Sequence, residues 1–167
     1  MKKITEYSQG DDNKKLRKIL GQFATGVAIV TTFGQDEKPC GITINSLTSV
    51  SLDPPLLLFC LSKSSGTLNA FKANSYFAIN ILDGEQKSIS KDFARPNFDK
   101  FSNVDWDISQ HKCPILYGNI ATIECKKTNE FDGGDHIIIL GEIINASGHE
   151  SHDPLIYHNG AYKKIHI

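Results

Sequence analysis

Two stretches of this chain hold the residue types that a ligand site needs. From Cys40 to Leu52 the sequence alternates hydroxyl or amide side chains with aliphatic ones and carries no charge, before Asp53-Pro54-Pro55 breaks it. Alternation of period two marks a β-strand. Thr43, Asn45, Leu47 and Ser49 then share one face, and Ile42, Ile44, Ser46, Thr48 and Val50 the other. A surface strand ordinarily sets Lys, Glu or Arg on its wet side, so uncharged polar groups suit a half-buried surface that meets a flat, polar ligand. A Ser/Thr-rich barrel strand with no ligand has the same composition. The second stretch, Ser62-Lys63-Ser64-Ser65-Gly66-Thr67, joins an apolar run to an expected helix. Its hydroxyls, the Lys63 ammonium and the free N–H groups of a helix start suit an anion. Helix capping by Ser64 or Ser65 is the competing account. Together the two stretches describe a ligand with a flat hydrogen-bonding head and a phosphate tail, and a flavin meets that description.

Other chemistries lack their residues. There is no Gly-x-x-x-x-Gly-Lys-Ser/Thr loop and no Gly-x-Gly-x-x-Gly between a strand and a helix, which argues against P-loop and Rossmann sites. No Gly-x-Ser-x-Gly elbow is present, and no pair of carboxylates stands in a hydrolytic arrangement. His149 and His152 lie in a loop-like stretch and read as solvated histidines rather than zinc ligands. The net charge of −1 and scattered Lys and Arg give no reason to expect nucleic acid. No apolar run reaches the ~20 residues that span a bilayer, and Met1-Lys2-Lys3-Ile4-Thr5-Glu6 has no apolar segment behind it, so no signal peptide or membrane is expected. The four cysteines lack Cys-x-x-Cys spacing and read as reduced thiols of a cytoplasmic protein, with Cys60 in the core.

The elements that must position these residues follow from periodicity and punctuation. Residues 1–12 are polar and read as a flexible arm, and residues 13–167 as one domain. Asn13 is placed to cap a helix with Leu16, Ile19, Leu20 and Phe23 on one face, ended by Gly26. Strands are expected over Val27 to Phe33, over Cys40 to Leu52 as one piece, and over Leu56 to Leu61. A short helix over Ser65 to Asn74, a strand over Tyr76 to Leu82 and a second short helix over Glu85 to Phe93 come next. Arg95 to Gln110 has no clear period and reads as a long structured loop. Three β-rich segments close the chain: Ile115 to Lys127, His136 to Ser147 and Ala161 to Ile167. Asp132-Gly133-Gly134-Asp135 marks the hairpin between the first two. Many strands and few helices make the fold mainly β, a barrel with peripheral short helices.

The order of the motifs resembles the short-chain flavin reductases, whose fold is the FMN-binding split barrel. The resemblance runs through Phe23-Ala24-Thr25-Gly26-Val27, then Gly41 to Pro55, Phe77-Ala78-Ile79-Asn80-Ile81-Leu82, Phe93-Ala94, Gly134-Asp135-His136, Gly141-Glu142, and Pro154-Leu155-Ile156-Tyr157 with Gly160 and Tyr162. Leu47 departs from it, since an aromatic residue is common there. The resemblance implies an NAD(P)H-dependent flavin reductase that oxidises NADH or NADPH and reduces FMN or FAD, acts as a homodimer, and in many cases supplies a separate flavin-dependent monooxygenase. The alternative on the same scaffold is an FMN-binding protein whose flavin is held tightly for electron transfer or sensing. A flavin carries the redox chemistry itself, which accounts for a site without an acid–base dyad. Under this reading Thr43, Ile44, Asn45 and Ser46 meet the flavin ring, with Ser49, Val50 and Ser51 beside them, while Lys63, Ser64, Ser65 and Thr67 take the phosphate. Lys100 and Phe101 are candidates from the long loop, and Tyr157 flanks the nicotinamide. His136 is the candidate on the catalytic side, able to bond the nicotinamide amide or offset charge on the reduced flavin.

Overall fold

The strand Ala28–Phe33 is buried along almost its whole length, as a β-branched apolar run must be when both faces of its sheet are covered. The computed structural model describes residues 4–96, 99–150 and 153–165. His152 and the last two residues expected in the C-terminal strand lie outside them. In chain order the elements are α1 (Asn13–Leu20), β1 (Thr25–Gly26), β2 (Ala28–Phe33), β3 (Pro39–Ile44), β4 (Thr48–Leu52) and β5 (Pro55–Ser62). Next come α2 (Leu68–Ala73), β6 (Tyr76–Ile81), α3 (Lys87–Ala94), β7 (Trp106–Ile108) and β8 (Pro114–Leu116). The chain ends with β9 (Ala121–Gly133), β10 (His136–Gly148), β11 (Ile156–His158) and β12 (Ala161–Lys163).

One antiparallel sheet of seven strands runs β3-β2-β6-β9-β10-β5-β4. It curls until its β3 edge stands beside β5, where Ser46, just past β3, reaches across to the backbone of Cys60. The barrel is thus closed by a side chain and not by a full strand pairing, a split barrel as expected. One core, built on Val30, Phe59, Phe77, Ile79 and Ile139, fills one side of the sheet. Another, built on Val27, Ile29, Leu82, Phe93 and Leu116, lies on the other side, beneath α3 and the short strands. Ile29 and Val30 fall in different cores because neighbouring residues of a strand point to opposite faces.

Three expectations are corrected. The residues from Cys40 to Leu52 form two strands, not one: β3 pairs with β2 and β4 with β5, and residues 45–47 cross between the edges. The alternation expected to continue through Ser49 therefore does not share a face across the break. Asp12, not Asn13, caps α1, its side chain accepting from the Lys14 N–H at 2.9 Å, and the helix ends at Gly21, well before Gly26. The segment Arg95 to Gln110 contains β7, paired with β8, whose three residues are too few for a period to be seen.

Candidate active site

The turn after β5 is organised by its own hydroxyls. Ser62 Oγ and Ser64 Oγ lie 2.9 Å apart and Ser65 Oγ and Thr67 Oγ1 2.8 Å apart, while the Thr67 N–H donates to Ser65 Oγ at 3.2 Å. Space above Gly66 is open. The helix that follows has only six residues, so hydroxyls and turn amides, more than a helix dipole, define the polar wall. Ser64, Ser65 and Thr67 line a cleft of about 630 Å3 whose floor is Cys40, Gly41 and Ile42 of β3. Its far wall is built from the loop after α3, including Asp99, Lys100 and Phe101.

Lys100 and Phe101 hold that far wall in place. The Lys100 ammonium donates to the carbonyls of Gly41 at 3.0 Å and Phe93 at 2.8 Å, and burial lowers its pKa below the ordinary lysine value. Phe101 meets Phe93 and Trp106 edge-on, with ring centroids 5.0 and 5.4 Å away. Gly41 makes this packing possible, since a Cβ there would stand 2.8 Å from Phe93 Cε1 and 3.2 Å from Thr31 Cγ2. Burial pushes the Cys40 thiol up, against the opposing pull of Lys100, so it faces the cleft as a neutral group.

Lys63 is turned elsewhere. Its Nζ lies 2.5 Å from Asp132 Oδ2 at the tip of the β9–β10 hairpin, and its backbone N–H donates to Asp135 O at 2.9 Å. His136 pairs with Ser62 in the β5–β10 ladder. Its Nδ1 lies 2.7 Å from Asp135 Oδ1, and that bond holds the Asp135 carboxyl below the usual range. The hairpin tip therefore brings His136 beside the hydroxyl turn.

The residues first matched to the ring are distributed differently. Thr43 Oγ1 donates to Ser90 O at 2.6 Å, and Ser46 Oγ donates to Cys60 O and accepts from Cys60 N–H at 3.2 and 3.0 Å. Both side chains thus tie β3 to its neighbours. Ile44 is in the core. Asn45 is exposed and lines a second cleft with Phe23, Thr25, Val27, Leu47 and Ile81. Thr25 Oγ1 in that wall is buried with no hydrogen-bond partner. Ser49, Val50 and Ser51 sit on β4, the free edge of the sheet, where a register shift between Ser49 and Ser51 bulges Val50 outward and Ser51 Oγ accepts from the Asp53 N–H. An edge strand with a bulge keeps backbone N–H and C=O groups unpaired. Tyr157 packs against Tyr162 with centroids 5.4 Å apart and belongs to the second core.

The structure thus brings Ser64, Ser65, Thr67, Lys100 and Phe101 around one cleft, sets His136 next to it and places Asn45 in another. Sequence reasoning missed Cys40 as floor and Asp99 as wall. The only local signal for Asp99 was its place beside Lys100 in a loop without a period. Among the described residues no group of His, Cys, Asp and Glu is arranged to hold a metal ion.

The flavin reductase like domain family matches residues 20–166. The chain is 41% identical over 156 residues to the FMN reductase (NADH) SmoA of Agrobacterium fabrum, covering 93% of this chain and 88% of that protein. It is 42% identical over 159 residues to the reductase component of the flavin-dependent trigonelline monooxygenase of Acinetobacter baylyi, covering 95% of this chain. The chain spans about half the length of that protein and of a Rhizobium meliloti relative, 51% and 48%. The NADH:FAD oxidoreductase SgcE6 of Streptomyces globisporus, solved with NAD and FAD fragments, superposes with a TM-score of 0.91 at 34% identity, covering 96% of this chain and 97% of that one.

Proposed function

This chain belongs to the flavin reductase like domain family, and on that footing we propose that it is an NAD(P)H:flavin oxidoreductase reducing FMN or FAD with NADH or NADPH. The observation that carries the reading is the cleft in which the hydroxyls of Ser64, Ser65 and Thr67 stand across from Lys100, over the uncharged stretch Cys40–Ile42 of β3. A bound flavin supplies the hydride-accepting chemistry. What this chain's residues supply is binding and orientation. The hydroxyl turn takes the phosphate, with Lys100 across from it. The polar edge of the ring falls to the backbone groups of β4 at Ser49, Val50 and Ser51 and to the Asn45 amide, which lie outside the lining of this cleft. Thr43, Ile44 and Ser46 act as scaffold for that surface. His136, held through Nδ1 by Asp135, keeps Nε2 for the nicotinamide amide, and Tyr157 supports the neighbouring wall from the core.

We take residues 13–167 as one reductase domain working in the cytoplasm as a homodimer. In support of a second copy, Leu20, Phe23 and Leu52 are 63, 79 and 88% exposed, large apolar side chains that a second copy would cover. Relatives that are reductase components of monooxygenases support release of reduced flavin to such a partner. The test is a steady-state assay crossing FMN and FAD with NADH and NADPH. Oxidation that saturates with added flavin is expected; no flavin-dependent oxidation with either nucleotide ends the proposal.

A further inference from the structure

The first cleft is larger and less basic than a single terminal phosphate requires. At about 630 Å3 it has the volume of a whole small-molecule site, ~300–1,000 Å3, and it continues from the hydroxyl turn past Lys100 to Asp99. The cations around it are already engaged: Lys63 with Asp132, Arg95 with Asp92 at 3.4 Å, and Lys100 with two carbonyls. Among the described residues that line the cleft, the cations are Lys100 and Arg95 and the one carboxylate is Asp99.

A phosphate monoester such as that of FMN concentrates about −1.5 to −2 charges on one group and is served by cations. A diphosphate diester spreads the same charge as one negative charge on each of two groups, which neutral hydroxyls and turn amides can satisfy. A carboxylate in the wall repels either ligand, and most strongly the first, whose charge sits on one group. It still suits the second, because a carboxylate accepts hydrogen bonds from ribose hydroxyls, as acidic residues do in other adenylate sites. Resting on the flavin-reductase reading above, we propose that this cleft is built for the diphosphate and ribose of FAD, that FAD is preferred over FMN, and that Asp99 sets the preference by accepting from the adenylate ribose.

The test is equilibrium binding of FAD and of FMN to the flavin-free full-length protein, followed by quenching of flavin fluorescence, for wild type, Asp99→Ala and Asp99→Asn. The wild type binds FAD at least about tenfold more tightly than FMN, the scale of one hydrogen bond to a charged group. Asp99→Ala weakens FAD and strengthens FMN, so that the ratio collapses towards one. Asp99→Asn, which keeps an acceptor oxygen and loses the charge, keeps part of the FAD affinity while strengthening FMN. FMN binding as tightly as FAD, or an Asp99→Ala loss equal for both flavins, overturns this inference and leaves the reductase reading standing. If neither flavin binds, both are overturned.

Discussion

Lys63 and Lys100 are both ammonium groups close to the cleft, and their partners separate their roles. Lys63 pairs with Asp132 on an exposed surface, where solvent screens the attraction and such a pair contributes little. Lys63→Ala should therefore change flavin affinity less than about fivefold. Lys100→Met leaves two carbonyls without their donor and should weaken flavin binding more, with stability lower by about 1–2 kcal/mol; flavin titration and urea denaturation of both variants decide the order. Glu124, 5% exposed, poses a different question away from the cleft. Burial pushes its carboxyl up, but hydrogen bonds from Ser109, Asn145 and His111 outweigh burial and hold it below the usual range. A carboxyl lowered in the folded state stabilises the fold above its unfolded pKa, and that stability is lost as pH falls through the folded value. Unfolding free energy should thus decline below about pH 4.5, and Glu124→Gln should lose about 2 kcal/mol at pH 7 and flatten the decline, as urea melts at several pH values would record.

At the scale of elements, the packing of α3 on β3 builds the far wall of the cleft. Gly41 lets Phe93 approach, Phe93 offers its carbonyl to Lys100, and Phe101 closes the ring cluster. Gly41→Ala should cost about 1–3 kcal/mol through overpacking and raise the flavin KM together with that loss, measured by thermal melting and by steady-state kinetics. The elements themselves were largely legible: β2, β5, β6 and β10 follow from apolar runs and alternation, and the β9–β10 hairpin from its Asp-Gly-Gly-Asp turn. The division of β3 from β4 was not legible. The phase of the alternation slips at Asn45-Ser46 and again at Thr48-Ser49, but an uncharged polar pair does not by itself end a strand, and the different partners of the two strands, β2 and β5, part them.

At the scale of the molecule, α1 buries none of its residues within the chain, although Leu16, Ile19, Leu20 and Phe23 have helical spacing. A correct reading of periodicity thus identified an apolar face without saying what covers it. Under the proposed dimer, Phe23→Asp and Leu52→Asp should shift the protein from dimer to monomer in sedimentation velocity and lower flavin affinity with it. A wild type that sediments as a monomer at micromolar concentration would remove the dimer from the proposal.

The sequence alone determined the local pieces: the hydroxyl turn at residues 62–67, the strand periods, the hairpin and the family pattern, because each is written in neighbouring residues. The tertiary structure decided which groups face the ligand. Lys63 is taken by a carboxylate 69 residues away, Ser46 by the backbone of Cys60, and Lys100 by carbonyls of β3 and α3. A polar side chain serves whichever donor or acceptor the folded chain sets beside it, and strand pairing between distant segments settles that choice.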